Sequence, residues 1–374
     1  MGFGVIGYRL LNLSYFNYSY YREIAENQEN YGSFSSRRGD IFIKDKIGGK
    51  LVTAAATKKN YYAYFTPNNI SSPDEVINKI NGIVNLDADK ALGQLTDSES
   101  GFKILAEDLL PEQIEEIKNL KIKGVEIGIK NERFYPQEEL AANVLGFLGF
   151  KGDERAGQYG IEGFYDEALK GKAQSLILTI DSNIQFFVEE KLKEVAKKWE
   201  VESGSVVVQN PQTGAILAMA DIPAFNPNEY GTFGLDKFIN SNVQEIFEPG
   251  SSFKPITMAA ALDSGSVNPG TTYYDPGFVE IAGYKLKNFD EKSHGVQTMT
   301  QVLEKSLNTG AIQAEKLTGH NQFLAFVEAF GFGRKTEIDL FGEISGDITN
   351  LYLKRPINFA TASYGQGIST TPIR

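Results

Sequence analysis

The 374-residue sequence contains no cysteine, and that absence removes several chemistries at once. Disulfides, thiolate nucleophiles, iron–sulfur clusters and cysteine zinc sites are all excluded. Histidine is nearly as scarce, and the two present, His294 and His320, cannot build a multi-histidine metal centre. A basic excess is missing too: 48 acidic against 37 basic residues leave a net charge of −11. Nucleic acid is therefore not the expected partner, since phosphate binding calls for a basic footprint. The chain also lacks G-x-S-x-G and P-loop patterns. The apolar stretch Phe3–Phe16 is interrupted by Arg9 and Asn12 and falls short of the roughly 20 residues that span a bilayer. It lacks the basic start of a signal peptide. It reads either as an ordinary amphipathic helix or as the tail of a membrane anchor.

What is present suits a folded chain of two or three domains, with 41% hydrophobic residues to build cores. Ser33–Thr57 reads as strand, Tyr61–Pro73 as turns, and residues 73–122 as helices. Val76, Ile77, Ile80, Ile83 and Val84 recur at helical spacing. Pro111 followed by Glu112, Glu115 and Glu116 marks a helix start. Asp87, Asp89, Asp97 and Glu99 lack calcium-loop spacing and read as a solvated acidic face. The glycine-rich segment Gly146–Gly171 suggests loops between two domains. After it come a strand, Ser175–Thr179, and a helix begun by Ser182 with Gln185 as its capping-box partner. Ile184, Val188, Leu192, Val195 and Trp199 form one apolar stripe on that helix. Ser205–Gln209, a turn Asn210–Gly214 and Ala215–Ala220 read as a hairpin. Helix beside hairpin implies an α+β domain with an antiparallel sheet.

The chemistry concentrates in Glu248-Pro-Gly-Ser-Ser-Phe-Lys254-Pro. Pro249 and Gly250 break the chain, and an apolar helix runs from Ile256 to about Gly265. Pro255 fits only a first helical turn, so Ser251 sits at the helix start with Lys254 one turn on, on the same face. Helix-terminal N–H groups favour negative charge developing there, and a lysine whose pKa is lowered by burial can act as base. Taken alone, S-x-x-K is equally explained by a capping serine, for which Ser252 competes, and a surface lysine. A second element is Ser306-Leu307-Asn308, preceded by a Thr298/Gln301 capping box. Residues two apart share no helix face, so Ser306 and Asn308 converge only at a turn, for which Asn308-Thr309-Gly310 is the candidate.

In this order the two motifs resemble those of the penicillin-binding proteins. Further segments match that family: Arg38-Gly-Asp-Ile-Phe-Ile-Lys-Asp45, Arg133-Phe-Tyr-Pro136, Gly157-Gln-Tyr-Gly-Ile-Glu162, Leu178-Thr-Ile-Asp181 with Gln185, Phe330-Gly-Phe-Gly333, Glu343 with Gly346, and Ser363-Tyr-Gly-Gln-Gly367. Ser14–Asn27 resembles the stretch after the family's membrane anchor. These landmarks resemble the monofunctional class B enzymes and cover nearly the whole chain. The family's third motif, K-[ST]-G, follows the Gly-Gln-Gly segment; Arg374 is reached without it, and Lys335-Thr336-Glu337 is no substitute because it has no glycine.

The resemblance implies an α+β fold: an anchor remnant over residues 1–20, an elongated pedestal over 21–172, and a penicilloyl-serine transferase domain over 173–374 lacking its last strands. It implies D,D-transpeptidation of peptidoglycan stem peptides, with β-lactams reacting at the same serine. Ser251 would be the nucleophile, Lys254 its base, Ser306 a proton relay and Asn308 the holder of the substrate amide. No metal or organic cofactor is implied. A single-pass location in the cell membrane, an extracytoplasmic catalytic domain and a membrane glycosyltransferase partner are. Arg38, Asp40 and Arg133 would form structural ion pairs where pedestal and catalytic domain meet, and neither histidine would be catalytic. Without K-[ST]-G, the 374 residues alone are expected to form acyl-enzyme poorly. Two alternatives remain: a β-lactam-hydrolysing or β-lactam-sensing protein, against which the long pedestal argues, and a catalytically inactive wall-synthesis scaffold.

Overall fold

The computed structural model describes residues 38–65, 70, 72–86, 103–152, 154–171 and 173–374. The stretches Phe3–Phe16 and Ser14–Asn27, and the acidic set from Asp87 to Glu99, lie outside them. The backbone of the first half is one long strand, Lys50–Phe65, of 16 residues. At about 3.3 Å per residue it extends for about 50 Å. Its first half pairs antiparallel with Ile41–Asp45 and its second half with Val125–Phe134, from Ala56↔Phe134 to Phe65↔Val125. Lys103–Ala106 pairs with its far end. Tyr61–Phe65 is thus strand and not turn. Its run of aromatic side chains suits a pleated surface, and partners on both edges fix it there.

At that far end the expected helices form as Pro73–Asn81 and Pro111–Asn119, each with proline in its first turn. Their apolar faces close a small core of Phe65, Val76, Ile77, Ile80, Val84, Leu105, Ile114 and Ile117. At the near end a larger core contains Ile41, Ile43, Ala55, Leu145, Phe147, Ile161 and Leu169 together with Ile180, Met219, Phe225, Val243 and Leu340. This core runs without a break from the first half of the chain into the second. Ile41–Asp45 is also paired in parallel by Leu176–Asp181, which carries the sheet across.

The glycine-rich segment is more ordered than loops: a hairpin of Phe147–Lys151 and Glu154–Gln158, then helices Gly160–Phe164 and Asp166–Gly171. Its glycines serve close approach. A Cβ on Gly157 would meet the Glu162 carbonyl oxygen at 1.8 Å, so only glycine lets the hairpin fold against the following helix. Onto that helix converge the ion pairs expected of Arg38 and Arg133. Fully buried Glu162 receives Arg38 Nε at 2.7 Å and Arg133 Nε at 2.6 Å, and Arg38 Nη1 reaches Asp166 at 2.6 Å. All these partners lie between residues 38 and 166, inside the base of the pedestal and not across its border. Tyr165, which joins this helix to the next, does touch the second half: its Oη donates to Asp339 Oδ2 at 2.7 Å.

The helix Ser182–Trp199 is capped by Asp181, whose carboxylate accepts from Asn183 N and Ile184 N; Ser182 is its first residue. Gln185 takes no part in a capping box. Fully buried, it exchanges two hydrogen bonds with the backbone of Met219 at 2.8 and 2.9 Å, standing in for a strand partner. Of the apolar stripe only Leu192 is buried, while Val195 and Trp199 are exposed. The hairpin forms as Gly204–Gln209 and Ile216–Ile222, antiparallel. The helix Lys254–Asp263 then packs with Asn308–Thr318 and His320–Ala329, and Pro356–Ala362 packs on Asn308–Thr318. Phe253, Phe323, Val327, Phe332, Leu351 and Phe359 form the core among them.

Candidate active site

Gly250–Phe253 forms a 3-10 turn that leads directly into the helix Lys254–Asp263, with Pro255 in its first turn. Phe253 plugs the turn into the core, edge-on to Phe332 at 4.9 Å. Ser363–Gly367 clasps it from outside. Gly250 N donates to Gly365 O at 2.9 Å, Gly367 N to Glu248 Oε1 at 2.8 Å, and Thr257 Oγ1 to Ser363 O at 2.7 Å. Gly365 has φ +79°, and a Cβ there would lie 2.1 Å from Gly250 O, so both conformation and contact demand glycine. Ser251 is left exposed on a fixed turn, whereas Ser252 donates its hydroxyl to Pro249 O at 2.6 Å.

Lys254 is only 2% exposed. Its Nζ donates to Ser251 Oγ at 3.1 Å, Ser306 Oγ at 3.0 Å and Ser306 O at 2.6 Å. No carboxylate is among these partners, and burial pushes the lysine pKa down to about 8. Neutral Lys254 could accept the Ser251 proton, and Ser306 is placed to exchange a proton with the same nitrogen.

The Thr298/Gln301 capping box forms and starts the helix Met299–Glu304. The turn that joins Ser306 to Asn308 lies two residues earlier than the sequence suggests. Ser306 itself adopts φ +52°, and Asn308-Thr309-Gly310 opens the helix Asn308–Thr318. A left-handed serine is strained, and the ammonium bonded to both its carbonyl and its hydroxyl holds it. Gly310 is required for packing: a Cβ would meet Val302 Cγ2 at 2.2 Å. Asn308 Nδ2 donates to Lys287 O at 2.8 Å.

Ser251, Ser306 and Asn308 line one open cleft of about 330 Å³. Its lining adds residues that sequence reasoning did not assign to the site: Tyr364, Gln366, Asn288, Phe289, Asp290 and Lys305. The glycines around Tyr364 were a signal for the first two; no spacing pattern marks the others. His294 Nε2 lies 3.0 Å from Asp290 Oδ2. His320 opens the helix His320–Ala329, with Nδ1 2.6 Å from Glu315 and its ring stacked on Phe359. Around Lys335-Thr336-Glu337, Thr336 and Glu337 wrap the buried Glu343 carboxylate with three hydrogen bonds.

Residues 34–207 match the family model "Penicillin-binding Protein dimerisation domain", and residues 204–374 match "Penicillin binding protein transpeptidase domain". The chain belongs to the class B penicillin-binding protein family. Among its relatives, stage V sporulation protein D of Bacillus subtilis is 32% identical over 372 residues, covering 91% of this chain and 56% of that protein. The peptidoglycan D,D-transpeptidase FtsI of Escherichia coli is 28% identical over 317 residues, 78% of this chain and 53% of FtsI. The crystal structure of penicillin binding protein 2X from Streptococcus thermophilus superposes with a TM-score of 0.76 at 21% identity, covering 90% of this chain and 57% of that one. The chain thus spans about half the length of the curated relatives it matches. The fold is that of this family: a pedestal followed by a transpeptidase domain of mixed helices and antiparallel strands.

Proposed function

We propose that this chain carries the pedestal and the acylating centre of a peptidoglycan D,D-transpeptidase, with Ser251 as nucleophile. The pedestal would run over residues 21–172 and the catalytic domain from 173. Neutral Lys254 takes the Ser251 proton as Oγ attacks the carbonyl between the last two D-alanines of a stem peptide. The tetrahedral adduct collapses, D-alanine leaves with a proton passed from Lys254 through Ser306, and the acyl group stays on Ser251. An amine of a neighbouring stem then attacks the ester and takes the acyl group, returning the proton to Ser251. Asn308 holds the substrate amide. A β-lactam would acylate the same oxygen.

One observation carries this reading: a buried lysine with no carboxylate among its partners, placed 3.1 Å from one serine hydroxyl and 3.0 Å from another on a shared cleft. Membrane anchoring by a single N-terminal span, an extracytoplasmic catalytic domain and a membrane glycosyltransferase partner belong to the same proposal. The test is covalent labelling of the full-length protein by a fluorescent penicillin. Ser251→Ala should abolish the label and Ser252→Ala should retain it. Label that persists on Ser251→Ala overturns the assignment.

A further inference from the structure

Behind the Ser306–Asn308 turn lies a buried carboxylate to which the proposed reaction gives no part. Asp275 ends the strand Thr272–Asp275 and is fully buried. Its Oδ1 accepts from Thr309 Oγ1 and from Gly277 N, both at 2.8 Å, and its Oδ2 accepts from Asn288 Nδ2 at 2.8 Å. All three donors are neutral. A fully buried polar group is costly unless its hydrogen bonds are made, so the geometry of this one matters more than its volume.

That geometry converges on Asn308. Thr309, held by Asp275, is the second residue of the helix that Asn308 opens. Asn288, also held by Asp275, accepts from Thr309 N at 3.2 Å. Asn288 directly follows Lys287, whose carbonyl takes the Asn308 Nδ2 hydrogen at 2.8 Å. One carboxylate therefore fixes both the turn that carries Asn308 and the strand end that fixes the plane of its amide. One Nδ2 hydrogen is used there, leaving the second and Oδ1 for a substrate amide.

Resting on the reading of the cleft given above, we infer that Asp275 is a positioning residue: through Thr309 and Asn288 it sets the Asn308 amide for substrate. It touches neither Ser251 nor Lys254, so it acts on binding more than on the chemical step.

The experiment is stopped-flow acylation of the full-length protein by a fluorescent penicillin, separating the half-saturating concentration from the limiting rate. Asp275→Asn turns one acceptor into an NH₂ facing the Asn288 NH₂, donor against donor. The half-saturating concentration should rise about tenfold, the size of one misplaced hydrogen bond, with the limiting rate within about twofold. The exchanged pair, Asp275→Asn with Asn288→Asp, restores donor to acceptor and should bring the concentration back to within about threefold of the parent. An unchanged half-saturating concentration in Asp275→Asn overturns the inference, and so does a double variant no better than the single one. Should Asp275→Asn fold poorly, Thr309→Val removes the hydroxyl that links Asp275 to this turn, together with its contacts to Tyr273 and Asn288, while leaving the Asp275–Asn288 bond, and the same rise or its absence decides. A parent protein that takes no label at all overturns the reading of Ser251 and this inference with it, a result distinct from labelling indifferent to Asp275.

Discussion

An ammonium group has three hydrogens, and Lys254 spends all of them on Ser251 and Ser306. With its pKa pushed down to about 8, the neutral base is a minor species at pH 6 and a major one at pH 9. Acylation measured against pH should climb about tenfold per unit and level off near pH 8. Lys254→Arg, which cannot lose its proton, should acylate at least about 100-fold more slowly at pH 8. The stability consequence has the opposite origin. The folded pKa lies below 10.5, so the unfolded chain holds the proton more tightly, and stability should rise as pH climbs from about 8 towards 10.5. Asp221 shows the reverse sign: burial raises its carboxyl from 3.8 to about 6 although Ser241 donates to it twice. Its contribution is greatest below pH 3.8 and declines as pH rises through 6. Asp221→Asn keeps an acceptor for both Ser241 donors and should raise the melting temperature at pH 8, a gain that vanishes near pH 4. The Ser251–Lys254 pair was legible because proline, glycine and three-residue spacing constrain it locally. The strain at Ser306 was not, because a contact 52 residues away in sequence imposes it.

At the scale of elements, legibility followed whether a signal was local. Proline at the starts of Pro73–Asn81 and Pro111–Asn119, and the Thr298/Gln301 box, are one-turn signals, and each helix starts where its signal stands. Asp181 displaced Ser182 as a cap because its carboxylate also accepts from Lys46 N across the sheet at 3.1 Å, a partner no local pattern shows. Gln185 reads as a capping residue until a strand backbone is placed beside it. The Gly146–Gly171 glycines signalled looseness on composition, whereas their neighbours require them for tight packing. The same reasoning applies to the clasp on the nucleophile turn. Gly365→Ala places a Cβ in left-handed backbone and against Gly250 O, so it should cost on the order of 2 kcal/mol and displace Ser251. Labelling by a fluorescent penicillin should slow more than about tenfold in the fraction that remains folded, whereas Gly214→Ala, with φ +74° but open space around it, should lower stability alone.

For the molecule as a whole, the question is what makes pedestal and catalytic domain one body. The apolar core that runs from Ile41 to Leu340 supplies the cohesion, and the buried cluster at Glu162 stiffens the pedestal side of the join. Glu162 gathers Arg38, Arg133 and the Tyr135 hydroxyl, and Arg133 Nη1 also donates to Gly39 O at 2.8 Å. Those residues come from the chain before Ile41–Asp45, from the end of Val125–Phe134, and from the short helix that Tyr165 follows. The sequence showed the arginines but not their shared partner, because 29 residues separate Arg133 from Glu162 and 124 separate Arg38 from it. The ordering of effects follows from what each deletion leaves behind. Arg133→Ala leaves Glu162 with Arg38 and Tyr135, and should destabilise by about 3 kcal/mol. Glu162→Ala takes the carboxylate from Arg38 and Arg133 together: Arg38 keeps Asp166 and the residue-162 carbonyl, while Arg133 keeps Gly39 O but already has one buried nitrogen without a partner, so the loss should be larger. Both variants should melt earlier in that order, yet acylate at the parent rate per folded molecule, since none of these groups lines the cleft. An equal drop for the two would overturn this ordering, and slower acylation at unchanged melting temperature would show that the cluster acts on Ser251 as well as on stability.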